Sequence, residues 1–244
     1  MGSKRASHPC FLSLYVHAQI HSHVPRTDPG DWALEISGSI LLSEKANARF
    51  ETEIGVFRAF LIQTQSARRE GFDAPAVLNA KSFATSEYTQ LFQNGEWRKR
   101  VKKKFDPHST DLLILDRMEL KPEYRGYGFG LLAVRCIIKM FGSRCGLVAC
   151  KPYPLQFEGS NRWEPPAQIS RPADGFREAR KKLRRYWTRV GFKRVAGTML
   201  YALDPQRALT KVGQMSAHSL RCARHSASRA SVERGIRMLD HSDV

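Results

Sequence analysis

The sequence predicts an α/β chain of the α+β kind, in which helices flank one mixed sheet. Three observations carry that expectation. DWALEISGSILL (31–42) alternates apolar and polar residues with the period of a half-buried strand. Residues 111–151 run strand, glycine turn, apolar helix, strand, and such a βαβ unit sets its two strands, 111–120 and 146–151, parallel. FREARKKLRRYWTRV (176–190) has the 3.6-residue period of an amphipathic helix. With 42% hydrophobic and 26% charged residues among 244, the chain can bury a core without disulfides or metal.

Each element follows from its local pattern. In 31–42, Trp32, Leu34, Ile36, Ile40 and Leu42 fall on one face, and Asp31, Glu35, Ser37 and Ser39 on the other. ARFETEIGVFRAFLIQT (48–64) begins with the same alternation and then becomes densely apolar, which makes a second strand whose later part could be helical. From Asp73 to Trp97 the spacing of Phe83, Tyr88, Leu91 and Phe92 is helical, and RKRVKKK (98–104) and a DPHST loop follow. DLLILDRMEL (111–120) starts as an unbroken apolar run, the mark of a strand inside a sheet, and Pro122 ends it. LLAVRCIIKMF (131–141) is apolar nearly all round and predicts a helix buried against that sheet, and GLVACK (146–151) predicts a second buried strand. Five prolines make 152–175 an irregular connection. In 176–190, Phe176, Ala179, Leu183, Tyr186, Trp187 and Val190 form the apolar stripe, with Gly191 as the stop. FKRVAGTMLYALD (192–204) predicts two short strands around Ala196-Gly197.

This pattern sets a domain at 31–205, between a flexible leader (1–30) and a basic, disordered tail (206–244). The leader has no signal-peptide core, and Ala6 stands where a myristoylation pattern requires Ser or Thr. Its His17, His21 and His23 have no cysteine or carboxylate partners, so no metal is expected. Five cysteines, an odd number with no CxxC, point to a reducing, cytoplasmic setting. No apolar run nears the ~20 residues of a membrane helix. The net charge of +17 divides as +4 over 1–110, +9 over 111–205 and +4 over 206–244, so a polyanionic partner is to be sought first in the middle segment.

The densest cluster of unusual residues is PEYRGYGFG (122–130), between the strand and the helix of the βαβ unit. Unpaired N–H groups at a helix N-terminus suit a phosphate. A dinucleotide GxGxxG fails, because Leu131 stands at its third glycine counted from Gly126 and Gly128. A P-loop fails, because Leu131-Leu132 stands where GK[ST] should end it. RxxGxG is met by Arg125, Gly128 and Gly130.

With its flanking elements, that motif resembles the GNAT family of N-acetyltransferases over roughly 111–204. MELKPEYRGYGFG is similar to the family's central strand and pyrophosphate loop, LLAVRCIIKMF to the helix behind it, GLVACKPYP to the next strand, and LRRYWTRVGFKRV to its late helix and Gly-Phe turn. The resemblance implies a GNAT-like, mostly antiparallel sheet in which parallel strands 111–120 and 146–151 splay apart. It implies acetyl-CoA or another acyl-CoA as donor and an amine, on a small molecule or protein, as acceptor. It also implies that Met118, Glu119 and Leu120 pair with the pantetheine arm, and that Arg125, Gly126, Tyr127, Gly128, Phe129 and Gly130 hold the pyrophosphate. Independently, glycines without a Cβ let phosphates approach the backbone, and Arg125 adds a permanent charge. The cations of 177–185 suit CoA's phosphates or an acidic acceptor, or form the solvated face of the helix.

Acyl transfer to an amine needs a neutral amine, a polarised carbonyl and a proton for the leaving thiolate. Many family members supply that proton from a tyrosine four residues before the Gly-Phe turn; here Trp187 holds that position and Tyr186 precedes it. Tyr186 is therefore the candidate acid, or a core aromatic. Asp116 and Glu119 are the candidate bases, and strand alternation puts them on opposite faces, with Glu119 nearer the expected thioester. Two strands come before a helical stretch (73–97), whereas the family sets two helices after its first strand and then three antiparallel strands. The sequence therefore does not name the acceptor. Two other readings remain: an acyl-CoA-binding module with little catalysis, and a non-specific nucleic-acid binder, suggested by RKRVKKK and the net charge but without any recognised nucleic-acid motif.

Overall fold

Residues 19–21, 27–42, 52–157 and 172–207 are described by a computed structural model of the chain. Cys10, His17, His23, the connection 158–171 and the tail from 208 lie outside the described residues.

Three strands open the sheet: β1 (Gln19–His21), β2 (Ala33–Leu42) and β3 (Thr52–Ile62), successively antiparallel. Gln19–His21 fell within the expected leader and is instead the edge strand. β3 stays extended to Ile62, so its apolar end is a strand buried on both faces. Trp32 does not share a face with Ile36 and Ile40: it ends a 3-10 turn, Pro29–Trp32, capped by Asp28, and packs on the opposite side of the sheet.

Helices α1 (Thr64–Arg69), α2 (Ala74–Lys81) and α3 (Phe83–Ser86) follow. The single helical stretch expected over 73–97 is broken at Ser82, whose extended backbone starts a new capping box with Thr85. That break turns Phe83 outward, 85% exposed. The stretch ends in a small hairpin, β4 (Phe92–Gln93) and β5 (Glu96–Trp97), with Phe92 stacked on Trp97 at 4.2 Å. RKRVKKK then forms α4 (Lys99–Phe105), because Val101 and Phe105, four apart, bury one stripe while the lysines face solvent and suit the helix's negative C-terminal end.

β6 (Leu112–Leu120) lies between β3, antiparallel, and β7 (Leu147–Cys150), parallel, as the βαβ pattern requires. α5 (Phe129–Ile137) connects them, two residues earlier than expected, and closes through a π turn, Ile138–Gly142. α6 (Pro172–Val190) ends at Gly191, φ +113°, where Phe192 N–H donates to the Trp187 carbonyl at 3.1 Å. β8 (Lys193–Arg194) and β9 (Tyr201–Leu203) form the other edge. The seven-stranded order is β1-β2-β3-β6-β7-β9-β8, with one parallel pair. One core packs α1 to α4 on one face, around Phe60, Ile62, Leu112 and Leu147; the other packs α5 and α6 on the opposite face, around Phe57, Leu113, Val148 and Phe192. This is the predicted mixed α+β fold. No described helix is long and apolar enough to cross a membrane.

Burial sets a pH limit. The Cys145 thiol is pushed up from its ordinary 9.0 to about 12 by burial and then by Asp111. Burial also raises Cys150, and raises Tyr88 well above its usual 10.0. In the unfolded chain these groups ionise at their ordinary values. The stability they contribute is therefore complete below pH 9 and is lost as pH climbs through the raised values. Melting temperature should fall steadily above pH 9, and Cys145→Ala should make that fall shallower; an unchanged slope would rule Cys145 out as a contributor.

Candidate functional site

The site grows from a mismatch in strand pairing. β3 and β6 pair as Arg58↔Arg117 and Ala59↔Leu115, which leaves Asp116 as an extra residue, a β-bulge. Before it, Leu113 and Leu115 face the α5–α6 core; after it, Met118 and Leu120 do. Alternation thus restarts, and the expectation that Asp116 and Glu119 face opposite ways is corrected: both point to the α1–α4 side. The bulge also bends β6 away from β7. The two pair from Leu112↔Leu147 to Leu115↔Cys150 and no further, so, among the described residues, 116–120 have no strand on their β7 side.

The gap between the diverging strands is a cavity of about 680 Å3. Asp116, Met118, Glu119, Leu120, Arg125 and Tyr186 all line it. Gly126, Tyr127, Gly128, Phe129 and Gly130 lie beyond its lining, at the end where β6 gives way to α5.

On the α1–α4 side the walls are ion pairs. Arg58 Nε donates to Asp116 at 2.6 Å, Arg117 Nη1 to Glu119 at 2.8 Å, and Lys151 Nζ to Glu87 at 2.6 Å. The Glu119 side chain is only 4% exposed, and its ion pair with Arg117 offsets the cost of burying it; removing one member of a buried pair costs about 3–5 kcal/mol. Tyr88 is buried beside them, near the charges of Asp116 and Glu87, with a hydrogen bond to the Lys151 backbone. Sequence reasoning missed Arg58, Glu87, Tyr88 and Lys151 as lining or flanking groups. Arg58 left one signal, a lone cation inside the apolar run VFRAFLI.

On the α5–α6 side Leu183, Tyr186 and Trp187 make an apolar stretch of wall, and Glu178 and Lys182 line it further along α6. Trp187 fills the position where the resemblance would set a tyrosine; it is buried and meets Phe192 edge-on at 5.1 Å. Trp187 anchors α6, and the preceding Tyr186 leans on it at 5.6 Å while its hydroxyl lies against Gly130. A Cβ on Gly130 would sit 2.6 Å from Tyr186 Oη. This glycine thus makes room for a side chain of its own chain rather than for a ligand. Burial, offset in part by Arg135, raises the Tyr186 phenol well above its ordinary 10.0, so it stays a protonated donor.

Gly126 and Gly128 answer to the backbone: φ is +84° and +85°, and a Cβ at either would meet nothing. Arg125 Nε fixes the loop to the strand end through the Leu120 carbonyl at 2.9 Å. Leu131 and Leu132 turn their N–H groups back to the Gly128 carbonyl, at 3.0 and 3.2 Å. The N–H groups of residues 126–130 have no hydrogen-bond acceptor among the described residues. Five donors at a helix N-terminus, beside a guanidinium and an open strand edge, fit a phosphate group joined to an extended chain. No group of three or more His, Cys, Asp or Glu side chains among the described residues is arranged to hold a metal.

Comparison of the chain with protein-family models, curated proteins and solved structures finds no match.

The Gly130–Tyr186 contact is open to direct test. Gly130→Ala should cost about 1–3 kcal/mol in urea unfolding, the usual penalty of overpacking. Adding Tyr186→Phe should recover most of it, because the nearest remaining ring atom is 3.6 Å away. Additive losses would mean that the two residues do not touch.

Proposed function

We propose that the chain is a GNAT-like N-acyltransferase that takes an acetyl group from acetyl-CoA, or another acyl group from its CoA ester, to an amine. The observation that carries this reading is the run of N–H groups at 126–130, without acceptors among the described residues, at the end of a strand whose β7-side edge no described strand covers. It fits CoA in both parts: donors for the pyrophosphate, and an open edge at Met118, Glu119 and Leu120 for the amide-bearing arm. Acetyl-CoA, when bound, supplies an activated thioester carbonyl.

The chain's own groups divide the remaining work between the two sides of the cavity. The carboxylates of Asp116 and Glu119 attract a cationic amine and can take its proton, Glu119 being held in place by Arg117. Tyr186 keeps its proton at neutral pH and can hand it to the departing sulfur. The apolar wall of Phe57, Leu115, Leu183 and Trp187 excludes water, which would otherwise compete with the amine. The acceptor enters from the α1–α4 side, where Asp116 and Glu119 are.

The first measurement is calorimetric titration of acetyl-CoA into wild type, Gly128→Asn and Gly128→Asp. Both replacements are among those that a positive φ tolerates, so they differ in charge alone. The aspartate should weaken binding about tenfold or more relative to the asparagine, because its carboxylate repels the pyrophosphate. Equal affinities would remove the phosphate from this loop. Tyr186→Phe should leave affinity unchanged and lower turnover about 10²-fold. The wild-type rate should show no Tyr186-dependent fall up to pH 10. Tight binding with no turnover across a broad amine panel would assign the cleft to acyl-CoA sensing.

A further inference from the structure

The positive charge concentrates at one edge of the sheet. β8 and β9 form a hairpin whose turn, residues 196–199, is gripped by cations from both faces. From α4, Lys104 Nζ donates to the Arg194 carbonyl at 2.6 Å, and Arg100 covers Gly197, where a Cβ would lie 2.9 Å from its Nη1. Arg194 Nε donates to the Thr198 carbonyl at 3.1 Å. From α6, Arg180 Nη2 reaches Met199 Sδ at 3.2 Å. Partial burial, and then the nearby charges of Arg184 and Arg194, hold Arg180 below its ordinary 12.5. Among the described residues, none of Arg100, Lys104, Arg180, Arg184, Lys193 and Arg194 forms an ion pair with a carboxylate.

Lysines on an edge strand can serve only to prevent pairing with another chain. That role needs charge of either sign and needs it on the strand. Here the charge is of one sign, and most of it comes from two helices on opposite faces that converge on the same turn. Packing like charges together opposes folding, and an anionic partner relieves it.

We propose that this ridge binds the phosphate backbone of a nucleic acid. A flat anionic membrane fits less well. Surface-bound proteins set an apolar face into the lipid, whereas this ridge curves round the sheet edge with cations on both flanks and Met199, 41% exposed, as its one exposed large apolar residue. A phosphate backbone is a line of anions that a curved ridge can straddle, and guanidinium groups match phosphate oxygens in pairs. The contacts involve no base edges, so binding is independent of sequence.

The test is fluorescence anisotropy with a mixed-sequence duplex, over a series of salt concentrations, on the full chain and on Arg100→Gln/Lys104→Gln/Arg180→Gln. Wild type should bind with steep salt dependence. Removing three phosphate contacts should flatten the log K against log salt slope by about 2–3 and weaken binding on the order of 10²-fold near 0.1 M salt. Arg100→Lys/Lys104→Arg/Arg180→Lys should stay within a few-fold of wild type, which separates lost charge from lost fold. Three outcomes would overturn the proposal: no duplex binding by wild type at low salt, equal affinity and slope in the Gln variant, or binding to phosphatidylserine vesicles that duplex cannot displace. None of the three residues lines the β6–β7 cavity, so acetyl-CoA titration of the Gln variant reports on that site separately.

Discussion

β6 carries one more residue than β3 can pair with between Leu115 and Arg117, and much else follows from that excess. A bulge bends a strand and restarts its alternation. The bend separates β6 from β7 after four paired positions and opens a strand edge inside the molecule. The restart gathers Asp116, Arg117 and Glu119 on one side, where Arg58 and Lys151 help to balance the charge. The same divergence leaves β6 to run directly into the glycine loop, so the donors at the start of α5 open beside the unpaired edge.

The two sides of the cavity are built on different physics. Towards α1–α4, ion pairs with Arg58, Arg117 and Lys151 orient Asp116, Glu119 and Glu87. Towards α5–α6, packing does the positioning. Gly191 stops α6, Phe192 folds back under Trp187, and Trp187 fixes the rotation of the helix that carries Tyr186. A phenol is thereby brought to the first turn of α5, and Gly130 is small enough to admit it. Tryptophan at position 187 is thus the support for its neighbour, and the two aromatic residues have separate roles.

Charge follows the same division into places where it is balanced and places where it is not. At the cavity, Arg58, Arg117 and Lys151 are matched by carboxylates within hydrogen-bonding distance. Those around the β8–β9 turn are matched by backbone carbonyls and a sulfur, which orient them without neutralising them. Basic composition therefore means different things at different points of one chain.

The sequence by itself determined what depends on neighbours along the chain. Alternation in 33–42, the apolar run from Leu112, the glycine turn with the apolar helix after it, and the stripe of 176–190 closed by Gly191 are local patterns, and each formed the element its period dictates. Tertiary structure decided what depends on counting across strands or on packing. Whether Asp116 and Glu119 share a face turned on a bulge, and a bulge appears only when two strands are paired. RKRVKKK became a helix because Val101 and Phe105 found a core to enter, and periods shorter than two turns carry little signal of their own. Tyr186 and Gly130, 56 positions apart in sequence, meet because α6 crosses the start of α5, a relation set by the packing of Trp187 and Phe192 and by nothing local to either residue.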